Sequence, residues 1–223
     1  MSKNMVRYKF KEDFKMDLPV GKIVCLARTY KKHAIEMNSK IPNKPVLFLK
    51  PASSIIFNSQ SIIFPKVSNS LHHEVELGVV IEKKCKNVSK ENALDYVLGY
   101  LLALDITARD IQADAKKKGL PWSIAKGFDT FAPISNIILK NEIEDPNNIN
   151  LSLKVNGKIK QKSNTKNMIF SVEKIIEYIS NIMTLERGDL IMTGTPEGVG
   201  EIKKGDILEA EMANICYLKV DVI

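Results

Sequence analysis

Arginine and cysteine are scarce in this sequence, and long apolar runs are missing. Each shortage removes a class of protein. Only Arg7, Arg28, Arg109 and Arg187 are arginines, although 33 basic residues give a formal net charge of +7. Arginine is the planar, bidentate reader of phosphates and base edges. Here the excess charge is lysine mixed with acids, and Lys116–Lys118 reads as a solvated helix face. No patch interleaves aromatic and basic residues, so nucleic acid is not an expected partner. Cys25, Cys85 and Cys216 are far apart and odd in number. They offer no CxxC pair, hence no zinc knuckle and no disulfide framework, and a reducing cytoplasm is the default location. No apolar run reaches the roughly 18–20 residues that a membrane span needs. The opening MSKNMVRYKFKEDFK lacks the apolar stretch of a secretory signal.

A chain of 223 residues fits one large domain able to bury its own core, here with a polar N-terminal segment over 1–20. From residue 21 onward, short apolar strands dominate. KIVCLA, VLFLKP, the pair within SIIFNSQSIIFP, EVELGVVIEKK and YLLALDIT each read as β-structure. NLSLKVNGKIKQKSNT carries an Asn156-Gly157 hairpin turn. The expected helices are a short one after Arg28, one capped by Ser89 and ended by Gly99, ARDIQADAKKK closed by Gly119, and an amphipathic helix capped by Ser171. Strands outnumber helices and do not alternate regularly with them. That pattern specifies an α+β domain on antiparallel or mixed sheets, not a doubly wound fold.

The chemistry concentrates in SLHHEVELGVVI, residues 70–81. Positions i and i+2 of a strand share a face, so Glu74 and Glu76 present two carboxylates side by side. Buried bare, the pair would be costly. A divalent cation with a preference for oxygen relieves that cost. The alternative is a solvent-facing strand edge with both glutamates exposed. Further on, Asp105 ends the apolar GYLLALD, an unusual place for an unpartnered carboxylate, and it offers a third ligand. Arg109 and Gln112 follow at near-helical steps, then Lys126; a polar helix face and a surface loop are their plainer readings. His33 and Glu36 stand three apart and share a helix face. They make either a general base with its orienting carboxylate or a solvated pair. GDLIMTGTPEGVG, residues 188–200, runs from a strand into a loop whose glycines permit close backbone approach, and Thr193 or Thr195 can hydrogen-bond an anionic oxygen. It is not a Walker A loop, and a tight turn is its plainer reading.

Taken together, ARTYKKHAIEM, FLKPASSI, HHEVELGVVI, GYLLALDITARDIQ, WSIAKGFDTFAPIS and GDLIMTGTPEGVG resemble the short, single-domain branch of the fumarylacetoacetate hydrolase family. The resemblance covers residues 21–223 and leaves 1–20 outside. It implies a mixed β-roll or β-sandwich-like core with peripheral helices, usually in a homodimer. It implies Mg²⁺ or Mn²⁺ held by Glu74, Glu76 and Asp105. It also implies a catalytic His33–Glu36 dyad on a lid segment, and a pocket lined by Arg28, Arg109, Gln112, Lys126 and Thr195. His72 and His73 would then be supporting residues rather than ligands. One departure stands out: Ala27-Arg28-Thr29-Tyr30 replaces the family's usual Gly-Arg-Asn-Tyr, which bears on how the lid closes.

The expected activity is acylpyruvate hydrolysis. His33, polarised by Glu36, would deprotonate a water that attacks the distal carbonyl. Lys126, with Gln112, would stabilise the oxyanion, Arg109 and Thr195 would anchor the substrate carboxylate, and pyruvate would leave as its enolate. Decarboxylation or tautomerisation of oxaloacetate, and isomerisation of a hydroxylated dienedioate, are the alternatives. They use the same enolate chemistry at the same cation.

Overall fold

The computed structural model describes residues 5–11, 14, 16–37 and 39–223. The fold is α+β, with curled sheets and few helices. The largest sheet runs in the order Val46–Lys50, Ile23–Ala27, Leu190–Met192, Val75–Ile81, Val97–Leu104, Ala132–Ile134, Ile55–Phe57, with Ile138–Leu139 also pairing on Val97–Leu104. Its two central strands, VELGVVI and VLGYLLAL, are buried on both faces and, apart from Glu76, carry apolar residues and glycine without polar alternation. A five-stranded sheet is ordered Lys158–Asn164, Asn150–Val155, Ile207–Met212, Cys216–Val222, Ser61–Ile62. A small sheet pairs Leu71–His73 with Gly200–Ile202 and Thr107–Ala108.

Two apolar clusters flank the large sheet. Val75, Leu77, Val79 and Ile81 point into one, which is shared with the five-stranded sheet and with the helix Val172–Ile182. That helix is capped by Ser171 and buries Val172, Ile175, Ile176 and Ile179, one stripe at helical spacing. On the opposite face, Val80 and Leu101 meet Tyr8, Leu18 and Val20. The described part of the first twenty residues is therefore packed, with Tyr8 N donating to Leu18 O at 3.0 Å and Val20 N to Val6 O at 2.9 Å.

One expected element differs. The helix anticipated from Ser89 to Gly99 is a 3₁₀ segment, Lys90–Tyr96, and Ser89 makes no side-chain cap. The strand Val97–Leu104 starts inside the expected helix. Antiparallel pairing with Val75–Ile81, in register from Val75 opposite Leu104 to Val80 opposite Gly99 and shifted at Ile81 opposite Val97, buries every residue of that strand and overrides the local helical stripe. Gly99 lies within the strand because a Cβ there would sit 2.2 Å from Ile138 O. The Asn156-Gly157 hairpin turn is present, with φ of 50° and 76°, and Gly119, at φ 67°, closes the helix Arg109–Lys118.

The register of the two central strands places the acidic residues. Val75 faces Leu104, so the chain segments just beyond them, at Glu74 and Asp105, are adjacent. Asp105 N donates to Glu74 O at 2.8 Å.

Candidate active site and metal centre

Glu74, Glu76 and Asp105 are buried, not solvent-facing. Each offers a carboxylate oxygen, and the three oxygens lie within 4.8 Å of one another. A cluster of cations and donors holds them in place. Arg109 Nη2 donates to Glu74 Oε1 at 2.5 Å. Lys126 Nζ donates to Glu74 Oε2 at 3.0 Å, Asp105 Oδ2 at 2.5 Å and Thr107 Oγ1 at 2.6 Å. Gly194 N donates to Glu76 Oε2 at 2.7 Å. Burial would raise the Glu74 carboxyl, but Lys126 and then Arg109 outweigh it and hold it well below the usual carboxylate range. Glu76 goes the other way: burial first, then the charges of Asp105 and Glu74, push it well above that range. Burial alone would lower Lys126, but Asp105 and Glu74 more than compensate and keep it charged.

Lys50 completes the cluster. It ends the apolar strand VLFLK and is as buried as the core. Its Nζ lies 2.9 Å from Asp105 Oδ1. Its protons go instead to the carbonyls of Ile106, Lys126 and Phe131, at 3.1, 2.6 and 2.9 Å. An ammonium has three donors, so Asp105 Oδ1 is left buried without a hydrogen bond. An all-oxygen donor set with one unsatisfied buried carboxylate oxygen fits a hard divalent cation such as Mg²⁺ or Mn²⁺. Glu74, Glu76 and Asp105 are the residues that would hold it.

A cavity of about 330 Å³ opens beside the acids. Arg28, Arg109, Gln112, Lys126 and Thr195 all line it, and so does His33. Arg109 is braced between Glu74 and Gln112, whose Oε1 accepts from Arg109 Nη1 at 2.7 Å. His33 sits on the short helix Lys31–Glu36 with its ring buried, and its Nδ1 is 3.2 Å from Glu36 Oε2. Glu36 in turn accepts from Gly198 N at 3.0 Å. This contact ties the helix to the glycine-rich loop, where Lys32 and Glu197 also approach within 3.5 Å.

In that loop the two threonines divide. Thr193 donates to Leu77 O at 3.0 Å and does not line the cavity. Thr195 lines it, but its proton goes to Val75 O at 2.9 Å, and it accepts from Gln161 Nε2 at 2.8 Å. Thr29, the departure noted in the sequence, donates to Thr193 O at 2.7 Å, so it anchors the loop directly. Gly194 adopts φ 93°, and a Cβ there would lie 2.0 Å from Thr29 Oγ1. We expect Gly194→Ala to lower Tm and also to weaken Mn²⁺ binding, because its amide holds Glu76. The left-handed backbone alone costs about 1–2 kcal/mol, and a thermal melt with a metal titration reads both effects. Unaltered Mn²⁺ affinity would mean that this amide does not position Glu76.

Three further participants escaped the sequence reading. Lys50 belonged to a recognised motif, but nothing in its local pattern reveals the carbonyls it meets. Gln161, on the hairpin strand Lys158–Asn164, accepts at 3.0 Å from Val75 N, between the two glutamates, and contacts His73 Nδ1 at the same distance. His73 is thus a buried support, held below its ordinary pKa by burial; burial lowers His72 also, to about 4. Lys116–Lys118 are exposed, as a solvated run should be, and Lys116 also lines the cavity.

The family model for the fumarylacetoacetate (FAA) hydrolase C-terminal domain matches residues 22–223. The mitochondrial oxaloacetate tautomerase FAHD1 of Arabidopsis thaliana is 48% identical over 222 residues, covering 100% of this chain and 96% of that protein. A mitochondrial oxaloacetate decarboxylase of Dictyostelium discoideum is 51% identical over 195 residues, 87% of this chain and 89% of its own length. Among solved structures, fumarylpyruvate hydrolase from Pseudomonas aeruginosa, in complex with Mn²⁺ and pyruvate, superposes with a TM-score of 0.95 at 31% identity, covering 100% of this chain and 97% of that one. This chain belongs to the fumarylacetoacetate hydrolase family.

Proposed function

We propose that this protein is a divalent-metal-dependent enzyme that enolises short 2-oxo acids, with oxaloacetate keto–enol interconversion or decarboxylation as its reaction. The carrying observation is the buried acidic triad, its three oxygens within 4.8 Å of one another and two of its members, Glu74 and Glu76, lining one cavity with an oriented histidine. The relatives named for oxaloacetate chemistry, at 48% and 51% identity, support placing this reading ahead of hydrolysis.

A cation held by the triad would supply electron withdrawal from the 2-oxo group. The chain's own residues do the rest. Lys126 and Arg109 fix the ligand carboxylates, and Gln112, with its Oε1 taken by Arg109, keeps its amide N–H donors for substrate oxygens. Glu36 holds His33 Nδ1, which orients the ring and leaves Nε2 to take a proton from the carbon next to the keto group. Returning that proton to the oxygen gives the enol, and the reverse path regenerates the ketone. Nothing is gained or lost. Hydrolysis of an acylpyruvate is the second reading, favoured by the same dyad and by the fumarylpyruvate hydrolase likeness. There His33 would deprotonate water instead. A reducing compartment such as the cytoplasm belongs to the same proposal, supported by three buried free thiols.

The test is a panel of oxaloacetate, acetylpyruvate and fumarylpyruvate, each with Mg²⁺ and with chelator. We expect accelerated enol decay of oxaloacetate, abolished by chelator. His33→Ala should lower it by about 100-fold, the usual worth of a positioned general base. Pyruvate release from the acylpyruvates without any effect on oxaloacetate would transfer the assignment to the second reading. A His33→Ala rate within two-fold of the parent would remove His33 from the mechanism.

A further inference from the structure

The cavity's charges fall into two groups. Lys50, Lys126 and Arg109 are committed to Asp105 and Glu74. Arg28 and Lys116 line the same cavity without a described carboxylate partner. Glu74 and Asp105 are thus matched by cations, while Glu76 accepts only from Gly194 N, and Arg28 and Lys116 bring positive charge beyond that pairing.

The placement of Lys116 follows from its sequence context, KKKGLPWSIAK. Gly119 stops the helix in the left-handed region, and Leu120 N turns back to Ala115 O at 2.8 Å. Trp122 thereby folds over the preceding turn, with Lys116 Nζ 5.2 Å from its ring centroid. Trp122 is fixed edge-on to Phe48 at 5.8 Å, and Phe48 carries Lys126 Nζ on its other contact at 5.0 Å. Trp122 and Phe48 both line the cavity, forming an aromatic wall that joins the triad's lysine to Lys116. Lys118 pairs with Asp114 at 2.8 Å, and Lys117 is not part of the lining, so Lys116 is the member of the lysine run turned to the cavity. Burial, then Arg109, lowers its pKa, with Glu74 opposing. Arg28 is held at φ 59°, an unusual backbone for a long side chain, and its Nε is buried without a partner.

We propose that Lys116 on Trp122, together with Arg28, forms a subsite for a second carboxylate and is the specificity determinant that selects dicarboxylic 2-oxo acids over acylpyruvates with a neutral tail. The inference rests on the 2-oxo acid reading above and names the feature that decides among such substrates. A 2-oxo group engaged at the triad leaves the far end of a short dianion to meet these free cations. A methyl tail there would forgo that charge pairing, leaving the exposed Lys116 and the half-buried Arg28 to solvent.

Trp122 is the chain's single tryptophan, so its fluorescence reports this subsite directly. Malate and lactate are unreactive 2-hydroxy acids that differ only in the distal carboxylate. With saturating Mg²⁺, malate should bind the parent protein about ten-fold more tightly than lactate. Lys116→Met should collapse that ratio to within two-fold, and Lys116→Arg should retain most of it. In parallel, the kcat/KM ratio of oxaloacetate to acetylpyruvate should fall about ten-fold in Lys116→Met, mainly through KM. An undiminished malate-to-lactate ratio in Lys116→Met, in protein whose melt matches the parent's, would overturn the proposal. Malate selectivity that depends on Lys116 in a protein that turns over no 2-oxo acid would support the subsite while ending the proposed reaction.

Discussion

Asp105→Asn will abolish turnover and weaken Mn²⁺ binding by about 100-fold or more, while leaving the fold assembled. The magnitude follows from the role of the oxygen lost. Disturbing even the outer partners of metal ligands costs about 10–100-fold in affinity, and Asp105 is placed to be a ligand. Asparagine keeps the shape and a carbonyl oxygen but loses the negative charge, and nothing nearby replaces it. Glu76 cannot compensate, because it is already one of the three residues placed to hold the ion and its Oε2 is taken by Gly194 N. The substitution also leaves Glu74 as the one anionic partner of Lys126. Calorimetric titration with Mn²⁺ reads the affinity, and a circular dichroism spectrum matching the parent's shows that the loss is local. An affinity within three-fold of the parent would mean that the cation, if one binds, sits elsewhere.

The residues that frame this prediction were legible to different degrees, for physical reasons. Glu74 and Glu76 announce themselves because a strand's period is two and apolar neighbours make a charged pair conspicuous. Asp105 is visible for the same reason, at the end of an apolar run. Their convergence is a matter of register, Val75 opposite Leu104, which composition does not encode. The dyad is visible as HxxE on a short helix, yet its anchor, Gly198 N on Glu36, comes from a loop 162 positions away. The misread elements fail through tertiary override. Residues 89–99 carry a helical stripe, but a strand buried on both faces between two neighbours removes more apolar surface from water than an isolated helix would. Lys116 is indistinguishable in sequence from Lys117 and Lys118; only the turn at Gly119 and the return of Trp122 separate them. The loop threonines look equivalent, and both donate to backbone carbonyls, Thr193 to Leu77 and Thr195 to Val75, yet Thr195 alone lines the cavity.

Lys50→Met will unfold the protein at markedly lower temperature, and cation will rescue it more than it stabilises the parent. Lys50 is 0% and Asp105 1% exposed at the side chain. Methionine fills much of the same volume without the charge, so packing is nearly conserved and electrostatics is what changes. Three backbone carbonyls lose their donor together, and Asp105 loses one of its two cationic neighbours. Breaking a buried pair from one side costs on the order of 3–5 kcal/mol. For a chain of this length that corresponds to a fall in Tm of roughly 6–20 °C. The rescue follows from sign. Without the ammonium, the triad carries more unbalanced negative charge, so Mg²⁺ gains more there than in the parent, and saturating Mg²⁺ should recover a larger share of Tm than it adds to the unmodified protein. The carbonyls of Ile106, Lys126 and Phe131 stay unpaired, so recovery should remain incomplete. Melts of both proteins with chelator and with Mg²⁺ separate the two contributions. A drop of less than about 2 °C would mean that water or a shifted neighbour satisfies those carbonyls, and equal Mg²⁺ gains in both proteins would mean that Lys50 does not tune the charge of the acidic triad.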